Sequence, residues 1–253
     1  MGQTMKQTDL HRTLLRARVA VLDTKSEYWR SLVSQDDASP GVDAWMVIRR
    51  MAHAGLLQPV KRGVYVVVDP VRATPAIAVA SGVYGSREHY ITTDAALTFH
   101  RLMDQPVPVI RAAVPTGGAL ATFKAGGAKV EALIVVARKF GAADWYETRV
   151  DGFPVKVASR VQAVVDAVDH PKRMTHFSLL PEVLRSLRQD EVEEAGTRAL
   201  GASSAAAQRL GFLLDEGGVP VPSALLQLHP TFTVSLLPQS RRGTFSARWR
   251  IRA

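Results

Sequence analysis

Four cations stand in two places where their chemistry could matter. Arg49 and Arg50 share a face with Asp43, Met46 and His53, opposite a helical stripe of Ala44, Val47, Ile48, Met51 and Ala52. Lys61 and Arg62 lie in Gln58–Val68, a segment that reads as two short strands joined by a tight turn at Arg62-Gly63. A guanidinium suits phosphate oxygens or a guanine edge, and an ammonium suits a phosphate. A cationic helix face followed by a cation-tipped hairpin is equipment for duplex DNA. The helix fits the major groove and the hairpin reaches the backbone beside it. Lys61 and Arg62 would then pair with phosphates. Otherwise both pairs are solvated surface charge.

Other chemistry has less to stand on. His89, His100, His170 and His176 show no helical i, i+4 metal-ligand spacing. Gly117-Gly118 and Gly126-Gly127 lack the trailing Lys-Ser/Thr of a phosphate-binding loop. Asp190, Glu191, Glu193 and Glu194 sit where a helix N-terminus favours acids through its dipole. Asp144, Glu147 and Lys156 could suggest a nuclease, but no Glu-x-Lys lies near them, and there is no G-x-S-x-G elbow. No catalytic residue, metal or cofactor is expected, and the reading is of a protein that is not an enzyme. Arg248, Arg250 and Arg252 alternate along a C-terminal segment. They are candidates for nucleic-acid or partner contact, or for protection of a strand edge.

The chain has 253 residues, enough for one or two domains, and 47% hydrophobic residues. It has no cysteine, so thiolate zinc sites, disulfides and cysteine nucleophiles are excluded. Charges run through the first 18 residues, against a signal peptide. The longest uncharged stretch, Gly217–Ser240, is interrupted by Pro220, Pro222, Pro230 and Pro238, so no membrane span or membrane partner is expected and the location is read as cytoplasmic. Net charge is +9, which favours a polyanionic partner. It divides into +3 over residues 1–70, +1 over 71–238 and +5 over the last 15 residues.

The elements that must position these residues are legible in outline. Leu10, Leu14, Ala17 and Val21 recur at helical spacing, and a second short helix starts at Ser26. Gln35–Gly41 is a polar loop, and Gly55 is placed to stop the third helix. Asp69–Ser86 is a Pro/Gly/Ala stretch with a boundary near its start. Thr92 or Thr93 caps a helix from Asp94 to about Met103, and strands cover Val107–Val114, Val130–Ala137 and Val155–Ala158. Ser159 caps the next helix, Pro171 stops it, and Leu179–Leu187 is helical. Asp190 with Glu193 resembles a capping box, and Ser204–Glu216 is a last helix. Phe232, Val234 and Leu236, then Phe245, Ala247, Trp249 and Ile251, alternate as a hairpin turning at Ser240–Gly243. The fold class is α+β: an N-terminal winged helix-turn-helix over 1–70, then a mixed α/β domain over 71–253.

Several segments, in order, resemble AbiEi-type antitoxins of type IV toxin–antitoxin (abortive infection) systems. They are Arg49-Arg50-Met51 through Gly55-Leu56-Leu57 with Val60-Lys61-Arg62-Gly63-Val64-Tyr65, and Ile91-Thr92-Thr93-Asp94-Ala95-Ala96-Leu97 through His100-Arg101-Leu102. Further on come Phe140-Gly141, Val155-Lys156-Val157-Ala158-Ser159 through Val165-Asp166-Ala167, and Arg209-Leu210-Gly211-Phe212-Leu213-Leu214. The likeness covers the chain from about residue 8 onward. Thr24–Gly41 is longer and less regular than the family's pattern. The resemblance implies a winged helix that binds inverted repeats in double-stranded DNA of its own promoter and represses its operon. It also implies a second domain, named here the antitoxin domain, that counteracts a nucleotidyltransferase toxin encoded beside it. The alternative is an autonomous winged-helix repressor without a toxin.

Overall fold

The structure, a computed structural model, describes residues 7–34, 42–237 and 243–253. The expected polar loop at Gln35–Gly41 and most of the expected turn at Ser240–Gly243 lie outside the described residues. The chain is a mixed α+β protein built around two hydrophobic clusters.

The smaller cluster gathers α1 (Gln7–Arg16), β1 (Val21–Asp23), α2 (Glu27–Ser34), α3 (Val42–His53), β2 (Leu57–Lys61) and β3 (Val64–Val67). Leu10, Leu14, Leu22, Trp29, Ile48, Met51, Leu57, Tyr65 and Val67 are its buried members. Ser26 caps α2, its Oγ accepting from Trp29 N at 3.1 Å. Gly55 at φ +72 ends α3, and Gly63 at φ +78 makes the β2–β3 turn. Val21 departs from the helical stripe expected for the first helix. That helix ends at Arg16 and Arg18 turns the chain at φ +53. Val21 then begins β1, which pairs antiparallel with β3 and makes the order β1-β3-β2. The His11 Nε2 lies 2.7 Å from the Val68 carbonyl and ties α1 to the end of the hairpin.

The larger cluster centres on a six-stranded sheet of order β6-β7-β5-β4-β9-β8. These are β4 (Tyr90–Thr92), β5 (Val109–Pro115), β6 (Phe123–Ala125), β7 (Ala128–Val135), β8 (Trp145–Val150) and β9 (Phe153–Ala158). The β5–β7 and β4–β9 pairs are parallel and the rest antiparallel. A helix α4 (Ala76–Tyr84) packs against β4, β5, β6 and β9. It replaces the expected Pro/Gly/Ala stretch. Ala78, Val79, Ala80, Val83 and Tyr84 are all buried, so the segment has no polar face and no helical period to read. The helix α5 (Thr93–Phe99) stops earlier than expected, because Arg101 turns left-handed at φ +58. After α6 (Ala137–Ala142), α7 (Arg160–Asp169) packs on β4 and β9. Then α8 (Leu180–Arg185), α9 (Gln189–Ala202), α10 (Ser204–Gly217) and α11 (Ser223–Leu226) stack outward from α7.

Two expectations for this part are corrected. The residue that returns to cap α9 is Glu191, whose Oε2 accepts from Arg188 N at 2.9 Å. Glu193 instead accepts from Ser223 N at 3.1 Å, holding α11. The C-terminal strands do not form the expected hairpin. Val234-Ser235 (β10) pairs parallel with Ile251-Arg252 (β12), and Phe245-Ser246 (β11) pairs antiparallel with β12. Phe245 is therefore exposed, while Trp249 and Ile251 are buried.

Candidate nucleic-acid interface

Ile48 and Met51 point into the core of the N-terminal cluster, which leaves Trp45, Met46, Arg49 and Arg50 exposed on the other side of α3. Trp45 is 52% exposed and Met46 40%, so this face mixes two large apolar groups with two guanidinium groups. Neither Arg49 nor Arg50 has a carboxylate within ion-pair distance among the described residues.

The hairpin tip is fastened from below. Thr24 N donates to the Gly63 carbonyl at 2.9 Å, and a side chain at Gly63 would meet Thr24 Oγ1 at 2.8 Å. The ladder shifts register between Pro59 and Lys61. Lys61 and Arg62 project exposed at this tip. The Lys61 ammonium is held below its ordinary pKa by partial burial and by the nearby Arg87 guanidinium, with Asp23 opposing. Tyr65 is buried in the cluster, as a packing ring.

The C-terminal arginines sit on a different foundation. Arg248 Nη1 pairs with Asp215 of α10 at 2.9 Å, and its guanidinium lies 4.9 Å from the centre of the Trp249 ring. The Trp249 indole donates to the same carboxylate at 2.6 Å. Arg250 turns left-handed at φ +47, and its carbonyl accepts from Val234 N at 2.9 Å. Arg252 is exposed on β12, and its carbonyl accepts from Leu236 N at 2.8 Å. Arg248 thus fastens the C-terminus to α10.

The chemistry considered for catalysis is dispersed. Glu147 and Lys156 are cross-strand neighbours 3.4 Å apart, whereas Asp144 pairs with Arg198 at 3.8 Å. No group of three His, Asp or Glu residues that could hold a metal occurs among the described residues. His89 is buried. Its Nδ1 lies 2.8 Å from the Arg87 carbonyl, which can only accept, so the proton belongs on Nδ1. Nε2 then accepts from the Ser81 hydroxyl at 2.9 Å, and Ser81 Oγ accepts from Lys156 N at 3.2 Å. This chain of bonds joins α4 to β9. His100 likewise bonds the Ala158 carbonyl at 2.8 Å, and His176 that of Pro106 at 2.9 Å.

Three of the segments that carried the resemblance, Ile91–Leu102, Val155–Ala167 and Arg209–Leu214, are structural joints in the second cluster. Thr92 donates to Asp166, so β4 is bonded to α7. Asp94 accepts from Thr175 N and His176 N at 3.0 and 2.8 Å. Ser159 accepts from Gln162 N at 3.1 Å and caps α7. Arg209 donates to the carbonyls of Val168 and Ser235 at 2.9 and 3.1 Å.

Residues that sequence reasoning missed lie where the two clusters meet. A cleft of about 880 Å³ there is lined by Lys25 and Arg30 from one side and by Arg87 and Arg149 from the other. No local signal marks them, because Arg30 and Arg87 are far apart in sequence. No helix among the described residues is long and apolar enough to cross a membrane.

The sequence matches no family model and no curated protein. Among solved structures, the chain is similar in fold to the Rv2827c protein from Mycobacterium tuberculosis. The TM-score is 0.63 at 14% identity, over 99% of this chain and 92% of that one.

Proposed function

We propose that this protein is a DNA-binding antitoxin that represses transcription of its own operon and counteracts a nucleotidyltransferase toxin, without being an enzyme itself. In this reading residues 1–70 are a winged helix-turn-helix. The order helix, strand, helix, helix, hairpin, with β1 as third strand, is the order such a module requires. The observation that carries the DNA half is the placement of Arg49, Arg50, Lys61 and Arg62. All four are exposed on α3 and the hairpin tip, and none has a carboxylate partner among the described residues. In the sheet-bearing part Lys129–Glu131, Lys139–Asp169 and Arg160–Glu191 are paired, while Lys124, Arg138, Lys172 and Arg185 are exposed without a carboxylate partner among the described residues, so what supports the reading is the grouping of the four cations on one helix and the hairpin that follows it.

The antitoxin half rests on the sequence resemblance. Its test is co-expression with the neighbouring reading frame. A toxic nucleotidyltransferase neutralised by this protein supports the reading, and an unrelated neighbour with no rescue ends it. For DNA, Arg49→Ala with Arg50→Ala is expected to weaken binding to the protein's own promoter by roughly 1–3 kcal/mol if a guanine is read. Unchanged affinity in a gel-shift titration removes both residues from the interface. Lys61→Ala and Arg62→Ala should each lower the salt dependence of log K by about 0.9 if they neutralise a phosphate.

A further inference from the structure

We infer that the cleft between the two clusters binds the sugar–phosphate backbone of duplex DNA that continues past the segment met by α3 and the hairpin. This rests on the DNA-binding reading above and extends its surface onto the sheet-bearing part of the chain.

The cleft has an accessible volume of about 880 Å³ and is open to solvent along one side. Its walls carry Arg18, Lys25, Arg30, Arg87 and Arg149, against only Asp23 and Glu27. Lys25, Arg30 and Arg87 are exposed, and none has a carboxylate within ion-pair distance among the described residues. Glu27 lies three residues before Arg30, the spacing at which helical pairs form, and the two still do not pair. Asp23 accepts from Lys25 N at 2.8 Å and makes no ion pair, though its charge still reaches Lys61. The other two cations have structural contacts. Arg18 lies over the Phe153 ring at 5.7 Å, and Arg149 donates to the Gly152 carbonyl at 2.7 Å.

Lys25 and Arg87 are also the cations whose charge acts on Lys61, so the cleft is electrostatically continuous with the hairpin tip. Five cations held near one another against two carboxylates repel, which costs stability unless a polyanion is the partner. Such contacts go to phosphate oxygens, which fix the protein's position on the duplex and carry no sequence information. Lysine and arginine on flexible stems suit this use.

The test uses the full chain and a duplex from upstream of its own reading frame, titrated over a range of salt concentrations. The variant is Lys25→Gln with Arg30→Gln and Arg87→Gln, which removes three charges that hold nothing in the fold. Far-UV circular dichroism should match the parent, and the thermal midpoint should be no lower than the parent's, since the repulsion is relieved. The slope of log K against log salt should become shallower by about 2.7, the sum for three phosphates. The loss should be equal on the promoter and on an unrelated duplex. A hydroxyl-radical footprint should lose protection at its edge and keep its centre. If the parent binds and the folded variant keeps the parent's slope and footprint, the cleft is not a DNA surface, and the reading of α3 and the hairpin stands. If the loss is confined to the promoter sequence, the cleft reads bases and the inference as drawn is overturned. If the parent binds no duplex from its operon, both this inference and the reading beneath it fall.

Discussion

At the residue scale, two buried groups, Asp166 and His89, make opposed contributions to stability. Burial pushes the Asp166 carboxyl up to about 6, against hydrogen bonds from Thr92 and Gln162 that favour its charge. Burial lowers the His89 imidazole to about 4, with the Arg87 carbonyl opposing. The signs are opposite. Asp166 binds its proton more tightly when folded, so its contribution is present at low pH and is lost as pH rises from about 4 to about 6. His89 binds its proton less tightly when folded, so its contribution is full above pH 6.5 and is lost as pH falls towards 4. At about 1.4 kcal/mol per pKa unit, each is on the order of 3 kcal/mol, and the two nearly cancel across this window. Asp166→Asn should therefore lose stability on acidification, and His89→Gln should gain it. Urea unfolding at pH 4.5 and 7 measures both, and variants that track the parent in parallel would refute the assignment.

At the scale of elements, the clearest lesson is α10. Gly211 faces the Trp249 indole so closely that an added Cβ would fall 2.2 Å from the ring. Gly211→Ala must displace the indole, and with it the bonds from Trp249 and Arg248 to Asp215. Overpacking of this kind costs about 1–3 kcal/mol. Trp249→Ala costs about 3–5 kcal/mol by leaving a cavity. Because both act through one contact, the double variant should be no less stable than Trp249→Ala alone. Additive losses in thermal melts would show that the glycine matters for another reason. Ser159→Ala should remove the α7 cap for about 1 kcal/mol. That cap was legible, since a serine followed by Val161, Val164, Val165 and Val168 states both a helix start and its buried face. The α9 cap was less so. Asp190, Glu191, Glu193 and Glu194 offer several similar registers, and only the position of Arg188 selects Glu191.

At the scale of the molecule, the two clusters share a wall. Ala20 and Val64 belong to the larger cluster, with Val21, Val60 and Val66 packed against it, while Val19, Leu22, Tyr65 and Val67 pack in the smaller one. Val21 of β1 sits where a side chain on Gly82 of α4 would approach to 2.9 Å. This contact predicts that the chain unfolds in a single cooperative transition, with calorimetric and van't Hoff enthalpies in agreement. Two resolved transitions would show the wall to be weak. Gly82→Leu should lower the midpoint and also weaken DNA binding if the cleft at this wall lies on the duplex. The charge surplus is likewise a property of the whole. Its largest share by sequence lies in the last 15 residues, yet Arg248 is paired to α10. Among the described residues, exposed cations without an ion pair also lie on α3, at the hairpin tip and in the cleft.

Local structure is legible in the residues wherever one residue type has one physical use. Gly63 and Gly55 supply positive φ at a turn and a helix stop, Ser26 and Ser159 cap, and the stripe through Ile48 and Met51 leaves Arg49 and Arg50 outside. Features that depend on burial from several sides or on distant pairing emerge only from packing. An all-apolar helix such as α4 has no period to betray it. The strands at Val234 and Ile251 alternate identically whether they pair parallel or antiparallel, so the pattern alone does not select the parallel pairing they form. Arg30 and Arg87 face one cleft because β1 docks on α4, a meeting of surfaces that leaves no trace in either segment alone.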